Sequence, residues 1–79
     1  MKRYIATFHT HLAALRSSRS LTASGISAQM TPVPRRLSSS CGTCVRYEAD
    51  DSRSELLDTD AEAVYEDTGR EYILLREFG

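Results

Sequence analysis

The sequence predicts an α+β fold: a ferredoxin-like βαββαβ split-βαβ sandwich with an added C-terminal strand. Stretches rich in β-forming residues and stretches with a helical pattern follow one another as strand, helix, strand, strand, helix, strand. This is the order of elements in the split-βαβ fold. The chain has 79 residues, enough for one small α/β domain spanning 1–79. Its longest apolar run is only four or five residues, so we expect no membrane span.

The first half supplies a strand, a helix and a second strand. Residues 3–8 favour extended backbone, because Tyr, Ile, Thr and Phe dominate them. Thr10 can cap the start of a helix and Gly25 can end it. Residues 27–31 form the second strand, which Pro32 should end because proline lacks the N–H that pairing needs. The helix carries an apolar stripe at helical spacing, made of Leu12, Ala14, Leu15, Ser18 and Leu21.

The second half supplies two strands around a short helix, and then the added strand. Residues 43–47 form the third strand. Ser52 and Glu55 make a capping box, which predicts a second helix. Residues 64–67 form the fourth strand, and residues 72–75 follow a turn as the C-terminal strand.

The predicted topology has a consequence for function. In a split βαβ unit the first two strands run parallel and the third lies between them in the opposite direction. The end of strand one and the connection between strands two and three then lie at one edge of the sheet. We therefore expect His9, Thr10 and His11 to lie close to residues 33–42.

Charge is divided sharply along the chain. Up to Tyr47 there are seven basic residues and no acid, whereas from Glu48 onward there are eleven acids and three arginines. Either the two halves neutralise each other in the fold, or the first half binds an acidic partner. No aromatic residues interleave with the Arg35–Arg36 pair, so we expect no nucleic-acid partner.

Cellular location follows from segments that the sequence lacks. No long apolar stretch precedes His9, as a secretory signal would require, so we expect a cytoplasmic protein. Two cysteines in a small cytoplasmic chain indicate a thiol function or a metal site more than a structural disulfide.

Cys41 stands in a loop, residues 32–43, whose composition favours a negative charge on sulfur. A thiolate is stabilised by nearby cations and hydrogen-bond donors, and no acid lies within six residues of Cys41 in the sequence. Gly42 leaves room for backbone N–H groups to point inward. His9 is a further candidate, as a hydrogen-bond partner or proton acceptor for the sulfur. The supporting residues in the loop are Arg35, Ser39, Ser40 and Gly42.

Three other interpretations of the cysteines stay open. Cys41 can be a small buried apolar residue. Cys41 and Cys44 can form a redox pair, although such pairs usually open a helix and Cys44 here enters a strand. Both cysteines with His9 and His11 can bind zinc, although the spacing differs from that of known zinc motifs. We expect neither a metal nor another cofactor.

The stretches "YIATFHTHLAAL" and "PVPRRLSSSCG" resemble a family of small bacterial and archaeal selenium/sulfur carrier-like proteins of unknown function. The match rests on residues 7–9, Ala13, residues 32–35 and residues 38–42, and it covers about residues 3–57. The resemblance implies a carrier that holds sulfur or selenium on Cys41 as a persulfide or selenosulfide. Its partners would be a protein donor and a protein acceptor. Such a carrier is not an enzyme in the turnover sense.

Cys44 and the long C-terminal segment depart from the pattern of that family. Cys44 is therefore only a candidate second thiol. Two other functions remain open: a non-catalytic interaction or regulatory module, and a small redox or zinc module that uses both cysteines. An exposed edge strand would also allow a homodimer.

Overall fold

Five strands form one antiparallel sheet in the computed structural model, which describes residues 1–78. They are β1 (Lys2–Phe8), β2 (Ser27–Pro32), β3 (Thr43–Ala49), β4 (Ala61–Asp67) and β5 (Tyr72–Glu77). Their order across the sheet is β2-β3-β1-β4-β5. The central strand is β1, which pairs with β3 on one side and β4 on the other, and its residues 4–8 are all buried.

One helix, α1 (His11–Ala23), packs on the β2–β3–β1 side of the sheet. The Thr10 side chain accepts a hydrogen bond from the Ala13 N–H at 3.1 Å, so the predicted cap is present. Gly25 follows the helix with φ of 82°, a conformation that glycine adopts without strain. The predicted stripe is only partly right, because Leu12 is 52% exposed. The buried residues of the helix are Ala13, Ala14, Ser17 and Leu21.

The predicted α+β class and the added C-terminal strand are confirmed. β3 lies between β1 and β2 and is antiparallel to both, as the topology required. The predicted second helix is wrong, because the segment contains only a 3₁₀ turn at Ser54–Leu56. A complete ferredoxin-like arrangement with two helices is therefore not formed by residues 1–78.

Local hydrogen bonds explain why the capping box fails. The Asp51 carboxylate accepts the Arg53 N–H at 3.0 Å, which turns the chain before a helix can begin. Arg53 adopts a left-handed conformation with φ of 47°. The Ser52 carbonyl accepts a hydrogen bond from the Tyr47 hydroxyl. With its backbone held in this way, Ser52 does not act as a helix cap.

The main core lies between α1 and the sheet. Phe8, Leu21, Val45 and Val64 are almost completely buried there, and Tyr4 stacks on Tyr47 with ring centres 5.4 Å apart. Among residues 1–78, no helix combines the length and apolar character needed to cross a membrane.

Candidate functional site

Residues 33–42, the Cys41 loop, connect β2 to β3 at the edge of the sheet where β1 ends. The loop closes on itself, because the Val33 N–H donates to the Gly42 carbonyl at 3.1 Å. Gly42 has φ of 73°, which a residue with a side chain rarely adopts, and this lets the chain turn into β3. Backbone geometry thus favours glycine at this position.

The Cys41 sulfur is half-buried and lies against the edge of the main core. Its S–H donates to the Thr43 carbonyl at 3.4 Å, and the Ser39 hydroxyl oxygen lies 3.9 Å from the sulfur. In this arrangement the sulfur is a hydrogen-bond donor, which is the role of a neutral thiol. The described contacts of the sulfur are therefore with one carbonyl oxygen and one hydroxyl oxygen.

Ser39 and Ser40 attach the loop to two different strands. The Ser39 hydroxyl donates to the Phe8 carbonyl at 2.9 Å, at the end of β1. Ser40 donates through its backbone N–H and its hydroxyl to the Glu62 carboxylate on β4, at 3.1 Å and 2.8 Å. The two residues that precede Cys41 are thus tied to β1 and to β4.

Glu62 is the residue of this site that the sequence did not reveal. The sequence shows no acid near Cys41, yet the fold places this carboxylate against its neighbour Ser40. Partial burial raises the pKa of Glu62, but hydrogen bonds from Ser40 and the charge of His9 outweigh it, so the pKa is lowered overall. The split-βαβ topology was the one available signal, because it brings the start of strand four beside the end of strand one.

The two histidines lie near the loop, but each has a different partner. His9 Nδ1 lies 3.4 Å from a Glu62 carboxylate oxygen, so His9 is linked to the loop through Glu62 and Ser40. His11 Nδ1 lies 3.4 Å from the Thr43 hydroxyl oxygen. Within residues 1–78, no group of three or more His, Cys, Asp or Glu side chains is arranged to hold a metal ion.

The arginine pair lies at the other end of the loop. Arg36 donates to the Arg70 carbonyl at 3.2 Å, in the turn between β4 and β5. Arg35 is exposed and lines the same shallow groove as Arg36 and Tyr72. The described hydrogen bonds of the Cys41 sulfur include none from an arginine, so any effect of Arg35 on the sulfur acts through its field rather than by contact.

Cys44 occupies a different environment from Cys41. It lies in β3 and is fully buried, opposite Thr7 on β1 and Thr31 on β2. Its sulfur is 3.2 Å from the Thr31 hydroxyl oxygen and 3.7 Å from the Pro32 carbonyl oxygen. The structure contains both cysteines as free thiols.

Comparison with known protein families matches residues 3–66 to the family described as "Putative Se/S carrier protein-like". The match covers most of the chain, and the chain belongs to this family. It includes β1 to β3, the Cys41 loop and most of β4 with Glu62, and it ends before β5. No curated protein and no solved structure matches the chain.

Proposed function

We propose that this protein carries sulfur or selenium on Cys41 as a persulfide or selenosulfide, and passes it between a donor protein and an acceptor protein. One observation supports this most strongly. In a chain that belongs to the Se/S carrier-like family, Cys41 is the cysteine near the surface, whereas Cys44 is fully buried. Transfer between two proteins requires a sulfur that both partners can reach. The cytoplasm, where thiols remain reduced, is the compartment that suits this chemistry.

Loading is a thiol exchange without a net oxidant. The Cys41 thiolate attacks the outer sulfur of a donor persulfide, and a new S–S bond forms as the S–S bond of the donor breaks. The donor cysteine leaves as a thiolate and takes up the proton that Cys41 gave up. Unloading repeats the displacement, with an acceptor thiolate attacking the outer sulfur on Cys41. A selenium atom in the outer position follows the same balance.

The residues around Cys41 have distinct proposed roles. When the sulfur is negative, Ser39 gives up its hydrogen bond to the Phe8 carbonyl and turns its hydroxyl proton toward the sulfur, from which its oxygen is 3.9 Å away. Ser40 holds the loop, and Gly42 provides the turn that leads the chain from Cys41 into β3. Arg35 adds positive potential at the loop, and His9 supports the loop through its contact with the Glu62 carboxylate.

Intact mass measurement tests the proposal. The protein is incubated with glutathione persulfide, separated from the reagent and weighed. We expect wild type and Cys44→Ser to gain one sulfur atom and Cys41→Ser to gain none. If Cys41→Ser is loaded as well as wild type, the carrier mechanism is wrong. If both single variants lose the added sulfur, the cysteines act as a pair and the redox module is favoured.

A further inference from the structure

A β-bulge in β4 presents Glu62 to the Cys41 loop. Thr7 pairs with Ala63 and Phe8 pairs with Ala61, so Glu62 is an extra residue without a partner of its own on β1. A bulge interrupts the ladder and redirects the side chain of the extra residue, and bulges are common beside functional sites. Here the redirected side chain reaches across the sheet edge to Ser40.

The Glu62 carboxylate joins three segments of the chain. Its two oxygens accept the Ser40 N–H and the Ser40 hydroxyl, and one of them also lies 3.4 Å from His9 Nδ1. The side chain is only 21% exposed. Hydrogen bonds to a charged carboxylate are stronger than neutral ones, and two donors from one residue fix both its backbone and its side chain. Ser40, the exposed residue that precedes Cys41, is thus held through both its backbone and its side chain.

We propose that Glu62 is a positioning residue that holds the Cys41 loop closed and shields the sulfur from small thiols. This inference rests on the proposed carrier function of Cys41. With Ser40 bound to Glu62 and Ser39 bound to Phe8, Cys41 is kept half-buried with its S–H on the Thr43 carbonyl. Release of Ser40 frees the loop at the residue that precedes the sulfur.

Shielding has a chemical purpose in a carrier. A small thiolate that reaches the outer sulfur on Cys41 displaces it, forming a small-molecule persulfide and returning Cys41 as a thiolate. The cargo is then lost before an acceptor protein arrives. A loop held by Glu62 slows this loss, and a docked partner that draws Ser40 away would open the site only where transfer is needed.

Two reactions of Cys41 test the inference with variants of Glu62. One is alkylation of the unloaded protein by iodoacetamide, and the other is loss of sulfur from the loaded protein to glutathione, both followed by mass. For Glu62→Ala we expect both rates to rise about tenfold, which corresponds to about 1.4 kcal/mol. Glu62→Gln keeps an oxygen acceptor for Ser40, so both rates should rise by only about threefold in this variant.

Glu66→Ala is the matched control. Glu66 lies on the same strand and is also half-buried, but its side chain makes none of the described contacts with the Cys41 loop. We expect its rates to stay within about twofold of wild type, because a general loosening of β4 would affect both variants alike. If Glu62→Ala reacts no faster than Glu66→Ala, Glu62 does not hold the loop.

Hydrogen exchange keeps the inference testable should Glu62→Ala fail to fold. In wild type the Ser40 amide donates to Glu62, so we expect it to exchange more slowly than an unstructured peptide amide. Exchange at the rate of an unstructured peptide would overturn the inference. Failure of the carrier function is a separate outcome, because alkylation measures access to Cys41 whether or not it accepts sulfur.

Discussion

Ser17→Ala tests how the connection between β3 and β4, where the predicted second helix is absent, is attached to α1. Ser17 is fully buried in the middle of α1, and its hydroxyl oxygen accepts the Asp58 N–H at 2.8 Å. Asp58 lies just before β4, so this hydrogen bond ties the approach to β4, and therefore to Glu62, to the helix. Alanine removes the acceptor and leaves the Asp58 N–H without its partner.

The expected loss of stability can be worked from this contact. Removing one partner of a buried hydrogen bond costs about 1–3 kcal/mol, and the better helix propensity of alanine returns about 0.5 kcal/mol. A net loss of about 0.5–2.5 kcal/mol results. With a urea dependence of about 1 kcal/mol per M for a small domain, the unfolding midpoint should fall by about 0.5–2.5 M.

Urea unfolding followed by circular dichroism measures this change, with Ser20→Ala as the control. Ser20 is also on α1 but is half-buried, so its replacement should leave the midpoint unchanged or raise it slightly. Equal midpoints for Ser17→Ala and Ser20→Ala would show that the hydrogen bond to Asp58 does not anchor the segment.

Three further predictions concern the other cysteine, the helix cap and Glu62. Cys44→Ser should accept sulfur like wild type and lose about 1 kcal/mol of stability, since Thr31 remains as a partner for the new hydroxyl; a loss of loading without unfolding would contradict this. Thr10→Ala should lose about 1 kcal/mol in urea unfolding, because the Ala13 N–H loses its acceptor, and an unchanged midpoint would mean that the cap contributes nothing. The pKa of Glu62 is lowered from 4.5, so its contribution to stability is present above about pH 4.5 and is lost as the pH falls through the lowered value. Protection of the Ser40 amide from hydrogen exchange should therefore fall in acid for wild type but not for Glu62→Gln. If this protection depends on pH in the same way in both proteins, the Glu62 carboxylate does not hold Ser40.

Local signals in the sequence were sufficient for much of the fold. Thr10 caps α1 because its hydroxyl needs only the next turn of the same helix. The periodic strands were located to within a few residues, and the order of the first three in the sheet followed from topology. The capping box at Ser52 and Glu55 was misleading, because Asp51 accepts the Arg53 N–H and the Tyr47 hydroxyl donates to the Ser52 carbonyl, and these contacts hold the chain in a turn.

The site was harder to predict than the fold, because its main contacts are non-local. The loop with Cys41 and its closeness to His9 followed from the motif and the predicted topology. Glu62 could not be found from local pattern, since an acid between two alanines in a strand usually faces solvent. Only the bulge opposite Thr7 and Phe8, which depends on the pairing of two distant strands, directs it to Ser40.

The most direct test of the account is to locate the sulfur atom after loading with glutathione persulfide. Trypsin releases residues 37–46 as one peptide that contains both cysteines, and fragment ions that break between Cys41 and Cys44 assign the added sulfur. We expect the added mass to lie on Cys41 and to disappear when a thiol acceptor is supplied. Added sulfur on Cys44, or none on either cysteine in the folded protein, would contradict it.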